Sequence, residues 1–258
     1  MTEVARVSTG IEGLDAMIGG GIPRGRVLLV VGGPGTGKTT LAVQYLVNGV
    51  LKYSENGIFV SLDVPQYKIF EEAKSRGWDL KKLCDEKRIV FIDGSPFTRL
   101  TYRTPGFKVL ERSYTVQVHE LCDNITNAAK SINCKRIAID TLAALTQQFP
   151  DTIQRREVIL SLFEAASSGG STSIVTDETR ESEGRTILME EYVADGLIIL
   201  RSSQVERRQI RTIEVEKMKA SVIDEQIRPY VLDKTGFSVV SDKDVFSYAA
   251  AFLLKGKS

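Results

Sequence analysis

The sequence has few of the residues that build histidine and cysteine sites. Its single histidine, His119, disfavours a histidine-based metal site and a Ser-His-Asp triad. Its three cysteines are scattered along the chain and lack the spacing of metal ligands; they are Cys84, Cys122 and Cys134. We therefore expect reduced, structural thiols, as in a cytoplasmic protein.

The sequence also lacks an excess of charge and a long apolar run. Its 34 Lys and Arg residues balance 33 Asp and Glu residues, which gives a formal net charge of +1. This balance predicts no general attraction to nucleic acid or to an acidic membrane, so any such surface must be local. No run of about 20 apolar residues is long enough to span a bilayer, and the first residues lack a signal-peptide pattern. We expect no membrane association.

The most informative segment that is present is glycine-rich residues 32–39, which read Gly-Gly-Pro-Gly-Thr-Gly-Lys-Thr. They follow the apolar run 27–31 and open the helical pattern 39–47, which is the context that a phosphate-binding P-loop requires. Glycines let successive backbone N–H groups turn towards one anion, and the helix adds its positive dipole end. The predicted nucleotide-binding residues are Gly33, Pro34, Gly35, Thr36, Gly37, Lys38, Thr39 and Thr40.

Two residues of this loop have separate predicted roles. Lys38 can reach the β- and γ-phosphates of ATP and is therefore also a catalytic candidate, while the Thr39 hydroxyl can ligate Mg²⁺. The Mg²⁺ shell also needs an acidic residue at the end of a buried strand, and the apolar stretch 136–140 supplies Asp140 there. We therefore expect ATP and Mg²⁺ as ligands, with Thr39 and Asp140 at the metal.

Hydrolysis of ATP also needs a group that orients or deprotonates water. The predicted strand 58–62 is followed by Asp63, which should lie beside the P-loop if this strand and strand 27–31 are neighbours. Asp63 is the candidate for this catalytic role, and a structural capping role is the alternative.

The alternation of strand and helix patterns predicts an α/β fold with a mostly parallel sheet and helices on both faces. Later stretches alternate like antiparallel strands, and 242–254 looks like a final helix capped by Asp242. We divide the chain into one domain, residues 1–241, and a C-terminal helix and tail, residues 242–258. The predicted strands are 27–31, 58–62, 88–93, 136–140, 172–177, 195–201, 207–218, 226–232 and 237–240, and the longer helices are 38–53, 65–77, 115–131 and 151–167.

Several ordered motifs resemble those of the KaiC-like ATPases, within the RecA/RadA superfamily. The resemblance covers about residues 5–240 and implies a RecA-like P-loop NTPase core in a single-domain member of that family. It is more specific than the P-loop alone because several motifs occur in the same order. The segments that carry it are 8–15, 19–25, 137–145, 193–200, 213–219, 227–230 and 234–239.

The resemblance implies assembly into a homo-oligomeric ring, commonly a hexamer, with nucleotide at the contacts between subunits. Lys217 and Lys219 fall where the family places basic residues that reach a neighbour's γ-phosphate, and they are counted as catalytic for that reason. An exposed basic turn is the alternative.

Two departures from the family pattern affect hydrolysis more than binding. The family usually has two adjacent glutamates after the second strand, whereas this chain has the shorter Asp63 followed by Val64. The family's cationic motif is often Lys-Met-Arg, whereas here Lys219 replaces the arginine and cannot make its bidentate fork. We therefore expect normal ATP binding with slow turnover.

Three uses of the ATP remain open at this point. The first is a ring ATPase that regulates a protein partner through its nucleotide state. The second is an ATPase resembling RadA paralogues that binds single-stranded DNA through residues 97–114, where four cations oppose Glu111 and four aromatic residues are interleaved. A loop packed on the domain or on a neighbouring subunit is the alternative for that segment. The third and weakest use is autokinase activity, since nothing places a hydroxyl beside a neighbour's γ-phosphate.

The loop that follows strand 172–177 argues against DNA in a ring channel. Residues 177–191 contain six acidic residues against two arginines, a local charge of −4 that repels phosphate. Regulation of a protein partner is therefore the preferred interpretation, with single-stranded DNA binding as the alternative.

Overall fold

The computed structural model describes residues 4–98, 112–149, 151–178, 188–205, 208–243, 245, 247 and 248. Within them a nine-stranded sheet has the order β11-β10-β9-β8-β3-β7-β6-β4-β5, and β1 and β2 form a separate antiparallel pair. The strands are β1 Arg6–Val7, β2 Ile22–Pro23, β3 Val27–Gly32, β4 Gly57–Ser61, β5 Ile89–Asp93, β6 Arg136–Asp140, β7 Thr172–Glu178, β8 Gly196–Val205, β9 Arg208–Met218, β10 Arg228–Asp233 and β11 Gly236–Val239.

Helices cover both faces of this sheet, and most of them connect parallel strands. The helices are α1 Leu14–Met17, α2 Lys38–Tyr53, α3 Gln66–Ser75, α4 Leu80–Asp85, α5 Ser95–Thr98, α6 Arg112–Ser131, α7 Ala143–Thr146, α8 Thr152–Ala166 and α9 Met189–Val193.

The pairing of the strands confirms the predicted fold class. The consecutive strands β8, β3, β7, β6, β4 and β5 pair with one another in parallel. The strands β9, β10 and β11 continue the sheet in antiparallel pairs after β8. The sheet is therefore mostly parallel, flanked by helices, with antiparallel strands at the C-terminal side.

The alternation of side chains along β3 explains why this strand is central. All six of its residues are buried. Leu28 and Val30 join the apolar cluster under α2 and α3, whereas Leu29 and Val31 join the cluster under α6 and α8. A strand that is covered on both faces reads as a continuous apolar run, and its carboxyl end is the place where an α/β sheet presents a ligand site.

The order of the strands corrects one premise of the sequence analysis. The placement of Asp63 beside the P-loop was conditional on β3 and β4 being neighbours, but β7 and β6 lie between them. A parallel crossover connection can skip positions in a sheet, and the local residue pattern does not record how many positions it skips. Proximity of Asp63 to the P-loop therefore does not follow from direct pairing of these strands.

Several local predictions can be compared with the structure directly. Helix α2 has the predicted bounds, and Asp151 caps α8 by accepting a hydrogen bond from the Gln154 amide at 2.8 Å. Residues 94–114, to which the sequence analysis assigned no strand or helix, contain α5 at their start and the first residues of α6 at their end, while 99–111 lies outside the described residues. Most of the predicted final helix also lies outside them. No helix in the described part of the chain is long and apolar enough to cross a membrane.

Candidate functional site

The glycine-rich loop connects the end of β3 to the start of α2. Gly37 precedes α2 with a φ of 89° and no side chain caps the helix, so the first-turn N–H groups of α2 meet no competing cap. A Cβ atom added at Gly33 or Gly35 would meet no heavy atom within 4 Å. At Gly32 it would lie 2.7 Å from Thr36 Oγ1, so this glycine is required by packing. The loop is thus packed from behind and open in front, which fits a cradle for phosphate.

The Lys38 ammonium lies along this loop. Its Nζ donates hydrogen bonds to the carbonyl oxygens of Gly32 at 2.7 Å and of Gly33 at 3.0 Å. Burial lowers the pKa of Lys38, and the negative charges of Asp140, Glu178 and Asp177 partly oppose that shift. An anion in the cradle offers the ammonium a stronger, charge-assisted partner than two neutral carbonyls do.

A tyrosine from the antiparallel part of the sheet supports the loop from behind. The Tyr230 hydroxyl donates a hydrogen bond to the Thr36 carbonyl oxygen at 2.6 Å, and the Thr36 hydroxyl donates to the Gly33 carbonyl oxygen at 2.8 Å. The Tyr230 ring stacks on Phe237 with centroids 4.4 Å apart. Sequence reasoning gave Tyr230 no role in the site, although it belongs to one of the motifs that carry the resemblance.

The two predicted metal ligands are brought together. The Thr39 hydroxyl donates to Asp140 Oδ2 at 2.8 Å, and the Thr176 hydroxyl donates to Asp140 Oδ1. Asp140 is only 3% exposed, and burial raises the pKa of its carboxyl, while the two hydroxyls and Lys38 oppose that shift. A hydroxyl and a carboxylate beside a phosphate cradle are the hard oxygen ligands that suit Mg²⁺.

Asp63 lies on the same edge of the sheet as Asp140. Ser61 pairs with Asp140 between β4 and β6, so the chain reaches Asp63 two residues beyond that level. The Asp63 side chain is exposed. Its candidate role towards water stays a prediction.

A small cavity beside the start of α2 was missed by the sequence analysis. Its volume is about 10 Å³, which is room for about one water molecule. The Thr40 hydroxyl, on its wall, donates a hydrogen bond to Glu72 Oε1 at 3.0 Å. The Nε atom of Arg76 is buried and has no hydrogen-bond partner among the described residues. The lining residues are Thr39, Thr40, Val43, Ile69, Glu72, Ala73, Arg76 and Trp78. Trp78 is far from the P-loop in sequence, so no local pattern could indicate it.

Lys217 and Lys219 lie level with the amino ends of the parallel strands, whereas the P-loop of the same chain follows the carboxyl end of β3. Lys217 pairs with Leu197 in β8, next to the Gly196 that pairs with Leu28 in β3. The P-loop begins four residues beyond Leu28, about 13 Å away at the rise of a strand. The structure therefore does not bring these two cations to the Lys38 loop of the same chain.

The partners of these cations are within their own subunit. Lys217 Nζ donates to the carbonyl oxygens of Ala194 at 2.8 Å and of Tyr192 at 3.4 Å. Lys219 forms an ion pair with Asp195 at 3.2 Å. Burial and then the charge of Lys219 lower the pKa of Lys217.

The acidic stretch 177–191 is not the uniformly charged surface that its composition indicates. Asp177, Glu190 and Glu191 are buried, and residues 179–187 lie outside the described part of the chain. Burial and then the charge of Glu190 raise the pKa of Asp177 well above its usual range. The predicted local surface charge of −4 is wrong, because these three carboxyls are buried.

Comparisons with known proteins agree with one another. A sequence model of the KaiC family of ATPases matches residues 7–244. The circadian clock oscillator protein KaiC of Parathermosynechococcus lividus is 33% identical over 239 residues, 92% of this chain and 42% of that protein. The same-named protein of Synechococcus elongatus is 31% identical over 238 residues, 92% of this chain and 44% of that protein. The chain thus spans less than half the length of these curated relatives.

A solved structure matches over nearly its whole length. The crystal structure of a KaiC-like protein from the hyperthermophilic archaeon Pyrococcus horikoshii superposes with a TM-score of 0.75 at 30% sequence identity. The match covers 92% of this chain and 99% of that one. The predicted family resemblance and RecA-like fold are therefore confirmed.

Proposed function

The chain belongs to the KaiC family of ATPases, and from this premise we propose that it binds ATP with Mg²⁺ and hydrolyses it slowly at contacts between subunits. The observation that carries the proposal is the hydrogen bond from Thr39 to the buried Asp140, next to a glycine loop that is open in front. We further propose that residues 1–241 form the ATPase domain and that residues 242–258 form its C-terminal helix and tail.

The loop would hold the phosphates through the backbone N–H groups of residues 33–40 and through the Lys38 ammonium. Thr39 and Asp140 would hold Mg²⁺, which when bound neutralises phosphate charge. Lys38 would exchange its two carbonyl partners for phosphate oxygens, and Thr39 would offer its hydroxyl oxygen to the metal.

The placement of Lys217 and Lys219 supports a head-to-tail ring, which we propose to be a hexamer. These cations lie on the edge of the sheet opposite the P-loop, so a neighbour stacked in the same orientation can present them to the Lys38 loop. Contact of unlike surfaces of identical chains gives rings when the rotation closes. A cation at that position stabilises charge that develops on the transferred phosphoryl group.

Slow turnover is supported by the residues available for chemistry. Asp63 is exposed and one methylene shorter than glutamate, and Lys219 lacks the forked donors of arginine. A ring that holds ATP for long periods is suited to report a nucleotide state to a protein partner. We propose this use of ATP for the chain.

Single-stranded DNA binding through residues 97–114 remains the second candidate. It rests on the sequence of that segment, where Arg99, Arg103, Lys108 and Arg112 alternate with aromatic residues. Stimulation of ATP hydrolysis by single-stranded DNA that is lost in Arg99→Ala/Arg103→Ala would favour it, and absence of DNA binding at low salt would remove it.

The proposal of shared sites can be tested by mixing two inactive variants. Lys38→Ala removes the phosphate cation, and Lys217→Ala/Lys219→Ala removes the cations presented to the neighbour. Mixed assemblies should regain ATP hydrolysis wherever an intact loop meets an intact cation pair. The control carries both defects on one chain, mixed with Lys38→Ala, and should stay inactive. A mixture no more active than its components would contradict sites shared between subunits.

A separate measurement tests nucleotide binding. Isothermal titration with a non-hydrolysable ATP analogue should show Mg²⁺-dependent binding to the wild type and none to Lys38→Ala. Retention of affinity in Lys38→Ala would contradict the assignment of the loop. Hydrolysis at tens of turnovers per second without a partner would contradict slow turnover.

A further inference from the structure

Helix α9 lies in the connection from the carboxyl end of β7, on the P-loop side of the sheet, to the amino end of β8, on the Lys217 side. Its C-terminal end is bound by Lys217, whose Nζ donates to the carbonyl oxygens of Ala194 and Tyr192. An ammonium is a favourable partner for carbonyls at the end of a helix, because these lack partners within the helix. The position of Lys217 therefore depends on the position of α9.

The other end of α9 carries a buried carboxyl that meets a second one. Asp177 is 1% exposed and Glu190 is 5% exposed, and their side chains lie within hydrogen-bonding reach. Asp177 Oδ1 accepts from the Glu178 amide at 2.8 Å, whereas Asp177 Oδ2 meets no donor among the described residues. Burial and the charge of Glu190 raise the pKa of Asp177, so a proton held by Asp177 can form the hydrogen bond between the two carboxyls.

Asp177 also adjoins the phosphate loop. It pairs with Val31 in β3, one residue before Gly32, whose carbonyl oxygen accepts from Lys38. The negative charge of Asp177 acts to raise the pKa of Lys38. The Asp177 carboxyl itself accepts a hydrogen bond from the backbone amide of Glu178. A contiguous series of contacts thus runs from the loop through Asp177, Glu190 and α9 to Lys217.

We propose that Asp177 and Glu190 are positioning residues for Lys217: their contact fixes α9 against the strand beside the P-loop, and α9 holds the Lys217 ammonium where a neighbouring subunit can use it. This inference rests on the proposed function, in which Lys217 serves a neighbour's nucleotide. It adds that the cation presented to one neighbour is set by a contact at the subunit's own phosphate edge.

The test measures lysine acylation in the nucleotide-free protein by mass spectrometry, so it does not depend on activity. Glu190→Ala should raise the acylation rate of Lys217 by about 5- to 10-fold, the range of an ordinary coupling between sites. Glu190→Gln should leave the rate at the wild-type value, because its amide can donate to Asp177 without a shared proton. Exposed Lys81 is the internal reference, and Glu120→Ala on the exposed face of α6 is the matched control.

The outcomes separate this inference from the proposed function. A Lys217 rate that is unchanged in Glu190→Ala, or a rate that rises together with that of Lys81, would overturn the inference. If Glu190→Ala fails to fold, Glu190→Asp replaces it, since it keeps the carboxyl but shortens its reach and should raise the rate by a smaller factor. Failure of the mixed-variant experiment would overturn sites shared between subunits while leaving the acylation result intact.

In the assembled protein the same variants should affect turnover and binding differently. Glu190→Ala should lower kcat with little change in the affinity for the ATP analogue, because each subunit's own loop is untouched. Glu190→Gln should have the kcat of the wild type. A change in affinity with unaltered kcat would overturn the positioning role.

Discussion

The two ends of β6 each bury a charged side chain, but they satisfy it in opposite ways. At the start of the strand Arg136 is 1% exposed and forms an ion pair with Glu55 at 2.7 Å. Its guanidinium also donates to the Tyr45 carbonyl oxygen at 3.2 Å and lies over the rings of Tyr45 and Tyr53, 4.7 and 4.9 Å from their centroids. This charge is neutralised within the chain.

At the other end of β6 the Asp140 carboxyl accepts from the hydroxyls of Thr39 and Thr176 and pairs with no cation among the described residues. Lys38, whose charge lowers the pKa of Asp140, donates to loop carbonyls instead. We infer that the buried charge at the start of the strand contributes to stability, whereas under the proposed function the one at its end is available to a ligand. Substitutions at the two ends should therefore affect different measurements.

The largest expected effect is on stability, at the start of the strand. Arg136→Met should lower the free energy of unfolding by about 3–5 kcal/mol, because it leaves Glu55 without its cation and removes both ring contacts. Urea denaturation measures this loss, and affinity for the ATP analogue in the folded fraction should not change. Arg26→Met is the control, since Arg26 forms an exposed ion pair worth under about 1 kcal/mol. Equal losses in both variants would contradict the comparison.

The opposite pattern is expected at the end of the strand. Asp140→Asn should weaken binding of the Mg²⁺–nucleotide complex by about 2–3 kcal/mol through loss of a charged ligand, while stability stays equal or rises. The reason is that the asparagine oxygen can accept from one hydroxyl while its NH2 donates to the other, without the desolvation of a buried carboxylate. Titration calorimetry with Mg²⁺ and with EDTA checks this. An equal loss of affinity in EDTA would contradict a metal role for Asp140.

A smaller effect sharpens the account of Arg136. A Cβ atom added at Gly49 of α2 would lie 2.4 Å from Arg136 Cδ and 2.6 Å from its Nε. Gly49→Ala should therefore cost about 1–3 kcal/mol of stability by overpacking, despite the better helix propensity of alanine. The control is Ser167→Ala at the end of α8. Gly169→Ala is unsuitable, because the positive φ of Gly169 would add backbone strain. Gain of stability in Gly49→Ala would show that Arg136 can move freely.

The smallest expected effect depends on pH. Burial and the charge of Glu190 raise the pKa of Asp177. Asp177 also interacts through its charge with Lys38. A carboxyl whose pKa is raised on folding stabilises the folded state at low pH and loses that contribution as the pH rises. Asp177→Asn should therefore be more stable than the wild type at pH 8 by about 1 kcal/mol, or roughly 2–4 °C.

This difference should close as the pH falls towards 3.8, the ordinary pKa of the carboxyl. Thermal unfolding at several pH values measures it. A constant difference between the two proteins at all pH values would contradict titration of Asp177 as its cause.

The local parts of the nucleotide site could be predicted from sequence because short spacings fix them. The P-loop, the bounds of α2 and the strand that ends in Asp140 each depend on residues close together in the chain. The contact between Thr39 and Asp140 follows once both lie at the carboxyl edge of one parallel sheet. The two cations at Lys217 and Lys219 were indicated only by family resemblance.

The parts that depend on distant segments could not be predicted in this way. The order of the strands, and with it the separation of β4 from β3, leaves no trace in local periodicity. The burial of Asp177 and Glu190 was missed because carboxylates in a polar stretch are ordinarily exposed. The cavity beside Trp78 forms only when α2 and α3 pack together.

The separation of the P-loop and Lys217 across the sheet determines how many complete nucleotide sites an assembly can have. Under the proposed arrangement each chain contributes two unlike half-sites, so an open arc always has one fewer complete site than it has chains. A dimer is then half as active per chain as a closed ring. Turnover per chain would rise with protein concentration and level off on closure, which makes the reaction rate itself a gauge of assembly.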